Sequence, residues 1–289
     1  SQFRSRRDYY ENLYLLNLLT GELETLSAPT RRASHTRGGI AWKEDGSGFY
    51  LASNVDREFA VLMFYDLESG LELVESANSD TQNVTLCGGD DRYLIWTLNE
   101  DGYSRLNVRD LHQNRTLDIP EFPEGIFSID CQGSPAKLAI TINGWKTPGN
   151  IWVWDLASET THEVFAASMA GLDPERLIRP ESLSIAARDG VQLEGLLYLP
   201  DESSRLNTNP PPIVFLVHGG PTGQSRPRFN AIVQYHVDRG MAVFEPNVRG
   251  STGFGHTYST LDDSENRLNS VRDLVDMQQY LNRDPRVDA

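Results

Sequence analysis

A chain of 289 residues is longer than one ordinary domain, so the sequence predicts two hydrophobic cores. Its hydrophobic content of 39% is that of a globular protein and excludes a largely disordered chain. The formal net charge of −15 argues against nucleic acid or an anionic membrane as a partner, because both require a basic face, whereas a cationic peptide is tolerated. No apolar run approaches the ~20 residues that a membrane-spanning helix needs.

The first half of the chain contains a repeat. Four apolar segments align without gaps, and they lie at residues 12–18, 61–67, 105–111 and 150–156. Near its end each carries an anchor residue followed by leucine, and the anchors Asn17, Asp66, Asp110 and Asp155 recur at intervals of 44 to 49 positions. This interval is typical of a β-propeller, in which four short strands form one blade.

Two further predicted strands lie between successive anchors and are joined by a polar turn that contains glycine. The three pairs fall within residues 39–52, 84–96 and 126–141. We therefore expect three full blades over residues 39–166, preceded by the outer hairpin of another. Because fewer than four blades cannot close a ring, we expect the amino end of the propeller to be missing. A free-standing β-sandwich is the alternative, but sandwiches do not repeat at this interval.

The two cysteines, Cys87 and Cys131, lie about one repeat apart in equivalent places. They could face each other on neighbouring blades, but we expect two buried thiols. The first four residues do not resemble a signal peptide, and the chain begins in mid-element. We expect a cytoplasmic protein, with the periplasm as the alternative because the native amino terminus is expected to be missing.

A predicted short helical linker begins at residues 171–175 and runs to Arg179-Pro180, where the repeat stops, and we place a domain boundary near residue 172. This divides the chain into a partial propeller, residues 1–172, and a second domain, residues 173–289. The second domain opens with an antiparallel hairpin that turns at Asp189-Gly190. A strand over residues 213–217, a helix that ends at Gly240 and a strand over residues 241–245 then form a βαβ unit. An amphipathic helix over residues 267–281 follows, and the chain stops where the next parallel strand is expected.

Ligands and reacting groups of a βαβ unit lie at the carboxyl ends of its strands, where glycine lets the main chain approach them closely. The two strands of this unit lead into Val217-His218-Gly219-Gly220-Pro221 and Asn247-Val248-Arg249-Gly250-Ser251-Thr252-Gly253. Together with the repeat, these motifs resemble the prolyl oligopeptidase family of serine peptidases, in particular its acylaminoacyl-peptidase and dipeptidyl-aminopeptidase-like bacterial branch. The resemblance covers essentially the whole chain.

The resemblance implies a partial β-propeller of about three and a half blades followed by the amino-terminal part of an α/β-hydrolase domain. It also implies that the full protein hydrolyses short peptides through an acyl-enzyme without a cofactor, and that the propeller restricts substrate access. In this fold the nucleophile lies on a Gly-x-Ser-x-Gly turn, which does not occur in the sequence. The resemblance places the serine about ten residues beyond Ala289, followed by the aspartate and the histidine. We therefore expect the chain to be truncated at both ends, to lack the triad and to be inactive alone.

The loop after the first strand of the βαβ unit is the predicted half of an oxyanion hole. In a hydrolase this loop supplies one N–H donor, so Gly220, with Gly219 beside it, is the predicted donor. We interpret His218 as a structural side chain that pins the loop, and Pro221 as a residue that rigidifies it. Arg249 is a candidate for binding a substrate carboxylate or carbonyl; the alternative is an arginine that ties neighbouring loops together.

Other ligands find less support in the sequence. The segment 250–255 lacks the lysine and the spacing of a phosphate-binding loop, so no nucleotide is expected. No pair of histidines has metal-ligand spacing, so no metal is expected. A propeller glutamate such as Glu58 or Glu100 could anchor the free amine of a substrate, but the sequence does not choose between them.

Two other functions stay open at this point. A propeller-based binding protein with a degenerate hydrolase portion also explains the missing triad, although it would expose an unpaired strand edge. An esterase of the same hydrolase fold fits the glycine motif but not the attached propeller. For the peptidase we expect short peptides as partners, no nucleic acid and no membrane, and either a homo-oligomer or association with the missing carboxyl-terminal segment.

Overall fold

Five β-sheets form the framework of the part of the chain that the structure describes. The computed structural model describes residues 11–28, 35, 39–201, 210–220 and 222–289, so the interpretations of Pro221 and of the first four residues lie outside it. The strands of the first half are β1 (Leu13–Leu16), β2 (Leu23–Ser27), β3 (Ile40–Trp42), β4 (Gly48–Ser53), β5 (Val61–Asp66), β6 (Gly70–Glu75), β7 (Asp80–Cys87), β8 (Tyr93–Glu100), β9 (Tyr103–Asp110), β10 (Arg115–Thr116), β11 (Ile126–Gln132), β12 (Lys137–Gly144), β13 (Thr147–Asp155) and β14 (Thr160–Phe165). The second half contains β15 (Glu181–Ala186), β16 (Gln192–Tyr198), β17 (Ile213–Phe215), α1 (Ala231–Asp238), β18 (Ala242–Asn247), α2 (Gly255–Thr260) and α3 (Arg267–Leu281).

The strands of the first half pair with their neighbours in chain order. β1 and β2 form a hairpin, and β3–β6, β7–β10 and β11–β14 form three four-stranded antiparallel sheets. The anchor residue of each repeat explains this regularity. Its Oδ1 accepts hydrogen bonds from the backbone N–H groups two and three positions later, at Asn17, Asp66, Asp110 and Asp155. Such a turn ends the strand and directs the chain into the next one.

The core of the first half lies between stacked sheets. In β12, Leu138, Ile140 and Ile142 alternate along the strand and are fully buried. They belong to one apolar cluster with Ile95 and Val108 of the preceding sheet. Alternation with a period of two is what a strand produces when one face is buried. The sheets are therefore held together by apolar side chains on their facing surfaces.

A disulfide bond joins two neighbouring sheets. Cys87 at the end of β7 and Cys131 in β11 are bonded, with their Cα atoms 5.6 Å apart. β7 and β11 are the equivalent first strands of successive sheets, so a separation of 44 residues along the chain becomes a direct contact. The expectation of two buried thiols is wrong, because stacking of the repeats brings equivalent positions together.

His35 lies buried beside the β1–β2 hairpin and the first four-stranded sheet. Its Nε2 is 3.2 Å from Ser27 Oγ, and its Nδ1 is 3.0 Å from Ser53 Oγ. Burial lowers the pKa of His35 to about 4, because the charged imidazolium would lose its hydration. The ring is therefore neutral at pH 7.

The second half forms one mixed sheet with the order β15-β16-β18-β17. β17 and β18 are parallel and α1 connects them, which is the predicted βαβ unit. α1 begins after Asn230, whose Oδ1 accepts a hydrogen bond from Ile232 N at 3.0 Å. β17 is two residues shorter at its carboxyl end than the predicted strand over residues 213–217, and α2 was not predicted. At the edge of the sheet formed by β17, Asp288 forms a parallel bridge with Pro212, the residue before that strand.

The helix α3 covers the predicted residues, but its apolar side chains are divided between two faces. Met277 and Leu281 are fully buried in the cluster that includes the sheet. Leu268, Val271 and Val275 are 64%, 58% and 46% exposed. In the described part of the chain, no helix combines the length and the hydropathy needed to cross a lipid bilayer.

The linker between the two halves contains one turn of 3₁₀-helix, Pro174–Arg176. Asp173 starts this turn by accepting a hydrogen bond from Glu175 N at 3.0 Å. The domain boundary near residue 172 stays a prediction.

Candidate functional site

Gly219 and Gly220 lie in the loop that follows β17, at the carboxyl ends of the parallel strands β17 and β18. Gly220 has a φ of 130°, and a Cβ at this position would lie 2.5 Å from Thr222 N, so the loop requires glycine here. Both glycines are exposed, and neither backbone N–H has an acceptor among the described residues. Towards the described residues the loop therefore has two backbone donors without an acceptor, and N–H donors are what a developing oxyanion requires.

His218 connects this loop to the loop after β18. Its Nδ1 donates to Gly219 O at 3.1 Å, because a carbonyl oxygen can only accept. In the neutral ring Nε2 then accepts from Ser251 Oγ, which lies 3.2 Å away. Both ring nitrogens are used within the protein, and this geometry supports the predicted structural role of His218.

Arg267 holds the other side of the glycine loop and was missed by the sequence analysis. Its Nη2 donates to Gly220 O at 2.5 Å, while Nη1 pairs with Asp262 Oδ2 at 2.8 Å. The signal that could have revealed it is its place at the start of α3, where the helix dipole disfavours a cation. An arginine at such a position needs acceptors nearby, and the glycine loop supplies one of them.

Arg249 is buried and engaged by two carboxylates. Its Nε lies 2.9 Å from Asp273 Oδ1, its Nη2 lies 2.7 Å from the same oxygen, and its Nη1 lies 2.7 Å from Asp189 Oδ2. Hydrogen bonds with Asp189 and Asp273 raise the pKa of Arg249, whose side chain is 5% exposed. The predicted substrate-binding role does not fit this geometry, because the guanidinium is occupied. The alternative fits: Arg249 ties the β15–β16 turn and α3 to the loop after β18.

The segment after the glycine loop is held by the β8–β9 hairpin of the first half. Asn99 Nδ2 donates to Gln224 Oε1 at 2.8 Å, and Arg226 Nε donates to Gly102 O at 2.7 Å. Burial lowers the pKa of Arg226 to about 10, and no carboxylate among the described residues pairs with it. The sequence analysis missed all of these residues, because the two segments are more than a hundred positions apart.

Both glutamates that were considered as anchors for a substrate amine already have partners within the protein. Glu58 accepts hydrogen bonds from Thr257 N and Thr257 Oγ, both at 2.8 Å, in the first turn of α2. Glu100 pairs with Arg105 at 3.1 Å. Among the residues that the structure describes, no three His, Cys, Asp or Glu side chains lie close enough together to hold a metal ion.

Residues 227–289 match the Peptidase_S9 profile, the Prolyl oligopeptidase family. This part of the chain is thus similar to the prolyl oligopeptidase family. A stretch of 131 residues is 32% identical to Dipeptidyl aminopeptidase BIII of Pseudoxanthomonas mexicana and covers 44% of this chain and 19% of that protein. The resemblance predicted from the motifs is therefore confirmed.

Two solved structures share the fold of this chain. Puromycin hydrolase superimposes with a TM-score of 0.80 over 99% of this chain and 45% of its own, at 16% identity. A Mycobacterium tuberculosis puromycin-hydrolyzing peptidase superimposes with a TM-score of 0.75 over 92% of this chain and 42% of its own, at 20% identity. At such identities the similarity shows the fold alone. The chain spans less than half the length of these structures.

The match to the family profile begins at residue 227 and so includes Arg249 but neither glycine of the loop after β17. The oxyanion role of Gly219 and Gly220 therefore rests on their geometry and stays a prediction.

Proposed function

We propose that the protein is a serine peptidase that hydrolyses short peptides through an acyl-enzyme. The observation that carries the proposal is the pair of N–H groups at Gly219 and Gly220, which have no acceptor among the described residues and follow a parallel strand. It is supported by the match of residues 227–289 to the prolyl oligopeptidase family. In this interpretation the three four-stranded sheets are consecutive propeller blades and the β1–β2 hairpin is the outer half of another. The mixed sheet is then the amino-terminal part of an α/β-hydrolase domain.

The proposed reaction uses the loop after β17 to stabilise negative charge. A serine Oγ attacks the scissile carbonyl carbon, a histidine accepts the serine proton, and the carbonyl oxygen becomes an oxyanion. Gly220 N–H, with Gly219 beside it, donates to that oxygen, and one such donor contributes ~10²- to 10³-fold in rate. The histidine then protonates the leaving amine, and water hydrolyses the acyl-enzyme.

The triad itself has no counterpart in the 289 residues, which contain no Gly-x-Ser-x-Gly turn. We expect these residues to be inactive unless a further segment supplies serine, aspartate and histidine. The exposed Leu268, Val271 and Val275 on α3 support either association with such a segment or self-association.

The propeller is proposed to restrict access to the loop after β17. Support comes from contacts that each of the three four-stranded sheets makes with the second half. The contact pairs are Glu58 with Thr257, Asn99 with Gln224, and Asn143 with Phe229. Sheets attached at three points would cover this side of the second half and favour short or extended peptides.

The disulfide between Cys87 and Cys131 supports an oxidising compartment such as the periplasm, since thiols of cytosolic proteins are kept reduced. We therefore prefer the periplasm to the cytoplasmic location that the sequence suggested.

The test is hydrolysis by the complete protein that the gene encodes. It should cleave aminoacyl or dipeptidyl 4-nitroanilides and lose that activity after fluorophosphonate treatment, while residues 1–289 alone should be inert. Cleavage of esters but not of peptides would favour the esterase instead. Peptide binding without cleavage would favour the binding protein.

A further inference from the structure

An asparagine recurs at one register position of the three four-stranded sheets. Counted from the first residue of β4, β8 and β12, the seventh position is Asn54, Asn99 and Asn143 respectively. The register is equivalent, because the first residue of each of these strands pairs with the anchor aspartate at the end of the next strand. The three asparagines therefore lie at the same end of successive sheets.

That end of the sheets contacts the second half of the molecule. Asn99 Nδ2 donates to Gln224 Oε1 at 2.8 Å, and Asn143 Oδ1 accepts from Phe229 N at 3.0 Å. Asn99 is 2% exposed, and its Oδ1 has no partner in the described structure. A buried amide oxygen without a hydrogen bond lowers stability. The hydrogen bond from Nδ2 to Gln224 is the favourable interaction that Asn99 makes across the interface between the two halves.

Arg226 lies between these two contacts and fills the space beside the β8–β9 turn. Its three nitrogens donate to Gly102 O, Gln82 Oε1 and Ser104 Oγ at 2.7, 3.2 and 3.3 Å. A Cβ on Gly102 would lie 2.8 Å from Pro227 Cδ, so the turn and the segment are in close contact. Residues 224–229 are thus fixed to the first half at both ends and in the middle.

The same segment contacts the glycine loop. A Cβ on Gly223 would lie 3.0 Å from His218 Nδ1 and 3.2 Å from Gly219 O. Thr252 N donates to Gly223 O at 2.8 Å, which ties the segment to the loop after β18 as well. A displacement of Gln224 would therefore be transmitted through Gly223 to Gly219.

We propose that Asn99 and Asn143 are positioning residues that hold residues 224–229 and, through Gly223, orient the N–H donors of the glycine loop. This inference rests on the proposed function, in which those donors stabilise the oxyanion. The strands that carry the asparagines are rigid parts of sheets, whereas the glycine loop has no strand neighbours of its own. The first half of the chain thus acts on the reaction as well as on substrate entry.

The experiment compares Asn99→Ala and Asn143→Ala with Asn107→Ala in the complete protein. Asn107 is the matched control, because in the described part of the chain its side chain donates only to Arg105 O, within its own strand. Each variant is assayed for kcat and KM on a dipeptidyl 4-nitroanilide and for amide hydrogen exchange over residues 216–224. We expect kcat to fall ~10-fold in both interface variants, as for a misplaced catalytic group, with KM nearly unchanged and faster exchange in the loop. Asn107→Ala should match the wild type in all three measurements.

A double variant separates positioning from general destabilisation. Asn99→Ala combined with Gln224→Ala should lower kcat no further than either single variant, because both remove the same hydrogen bond. Unchanged kcat and unchanged exchange in folded Asn99→Ala and Asn143→Ala proteins would overturn the inference, and so would an equal loss in Asn107→Ala. If one interface variant does not fold, the other and Gln224→Ala carry the test. If the wild type cleaves no peptide, the proposed function fails, and hydrogen exchange alone decides whether the asparagines position the loop.

Discussion

Replacing Arg249 by methionine separates a structural role for this residue from a substrate-binding role. Methionine keeps much of the side-chain volume and removes all guanidinium donors. Asp273 is fully buried and would lose its cation, and among the described residues it would keep only the hydrogen bond from the backbone N–H of residue 249. Asp189 is 47% exposed and can be rehydrated, so nearly all of the cost falls on Asp273.

Breaking a buried ion pair from one side costs about 3–5 kcal/mol, and we expect Arg249→Met to lower the free energy of unfolding by this amount. Urea denaturation of the complete protein at pH 7, followed by circular dichroism, measures it. Arg115→Met is the control, since Arg115 pairs with Glu159 at 3.0 Å and the two side chains are 50% and 53% exposed. Exposed ion pairs contribute little, so this variant should be nearly as stable as the wild type.

The double variant Arg249→Met/Asp273→Leu should regain most of the lost stability, because apolar side chains then replace both buried charges. A loss below about 1 kcal/mol in Arg249→Met, together with a raised KM, would refute the structural assignment and restore the substrate-binding one.

Three further predictions concern the loop, the buried histidine and the disulfide. Gly220→Ala should lower kcat of the complete protein ~10²- to 10³-fold by displacing an oxyanion donor, whereas Gly89→Ala, where a Cβ meets nothing within 4 Å, should not; equal kcat in both variants would argue against the donor role. Stability should fall as the pH drops from 6.5 towards about 4, by up to about 3 kcal/mol, because the unfolded His35 binds a proton in this range and the folded one does not. Thermal denaturation of His35→Gln should show a shallower pH dependence, and identical slopes would contradict this cause. Mass spectrometry without reductant should find Cys87 and Cys131 bonded, and reduction should lower stability by about 4 kcal/mol, the loop-entropy value for a separation of 44 residues; finding two free thiols would be the contrary result.

The repeat and the βαβ unit could be predicted because they depend on local chemistry. Each anchor residue, from Asn17 to Asp155, forms hydrogen bonds with N–H groups only two and three positions away, so its turn is encoded within the segment itself. Alternating apolar residues such as Leu138 and Ile140 determine which face of a strand is buried. Glycine at position 220 marks a turn that a side chain would obstruct.

The candidate site could be predicted only in part. The glycines were found because their freedom of φ is a property of the residue, but their neighbours Arg267 and Gly223 were not. Arg249 could equally have met a substrate or another loop, since Asp189 lies 60 positions away and Asp273 lies 24 positions away. Periodicity carries no information about which of these partners is in reach.

By itself, then, the sequence determined the repeat and the βαβ unit, since both follow from spacing along the chain, and its glycine-containing motifs carried the resemblance to the prolyl oligopeptidase family. The packing of the sheets on one another determined that Cys87 and Cys131 are bonded. The packing of the two halves determined that Asn99 meets Gln224, a residue 125 positions away. Such contacts form only when separately predictable elements are brought to one place, and their polar side chains then pair with whatever partner lies within hydrogen-bonding distance.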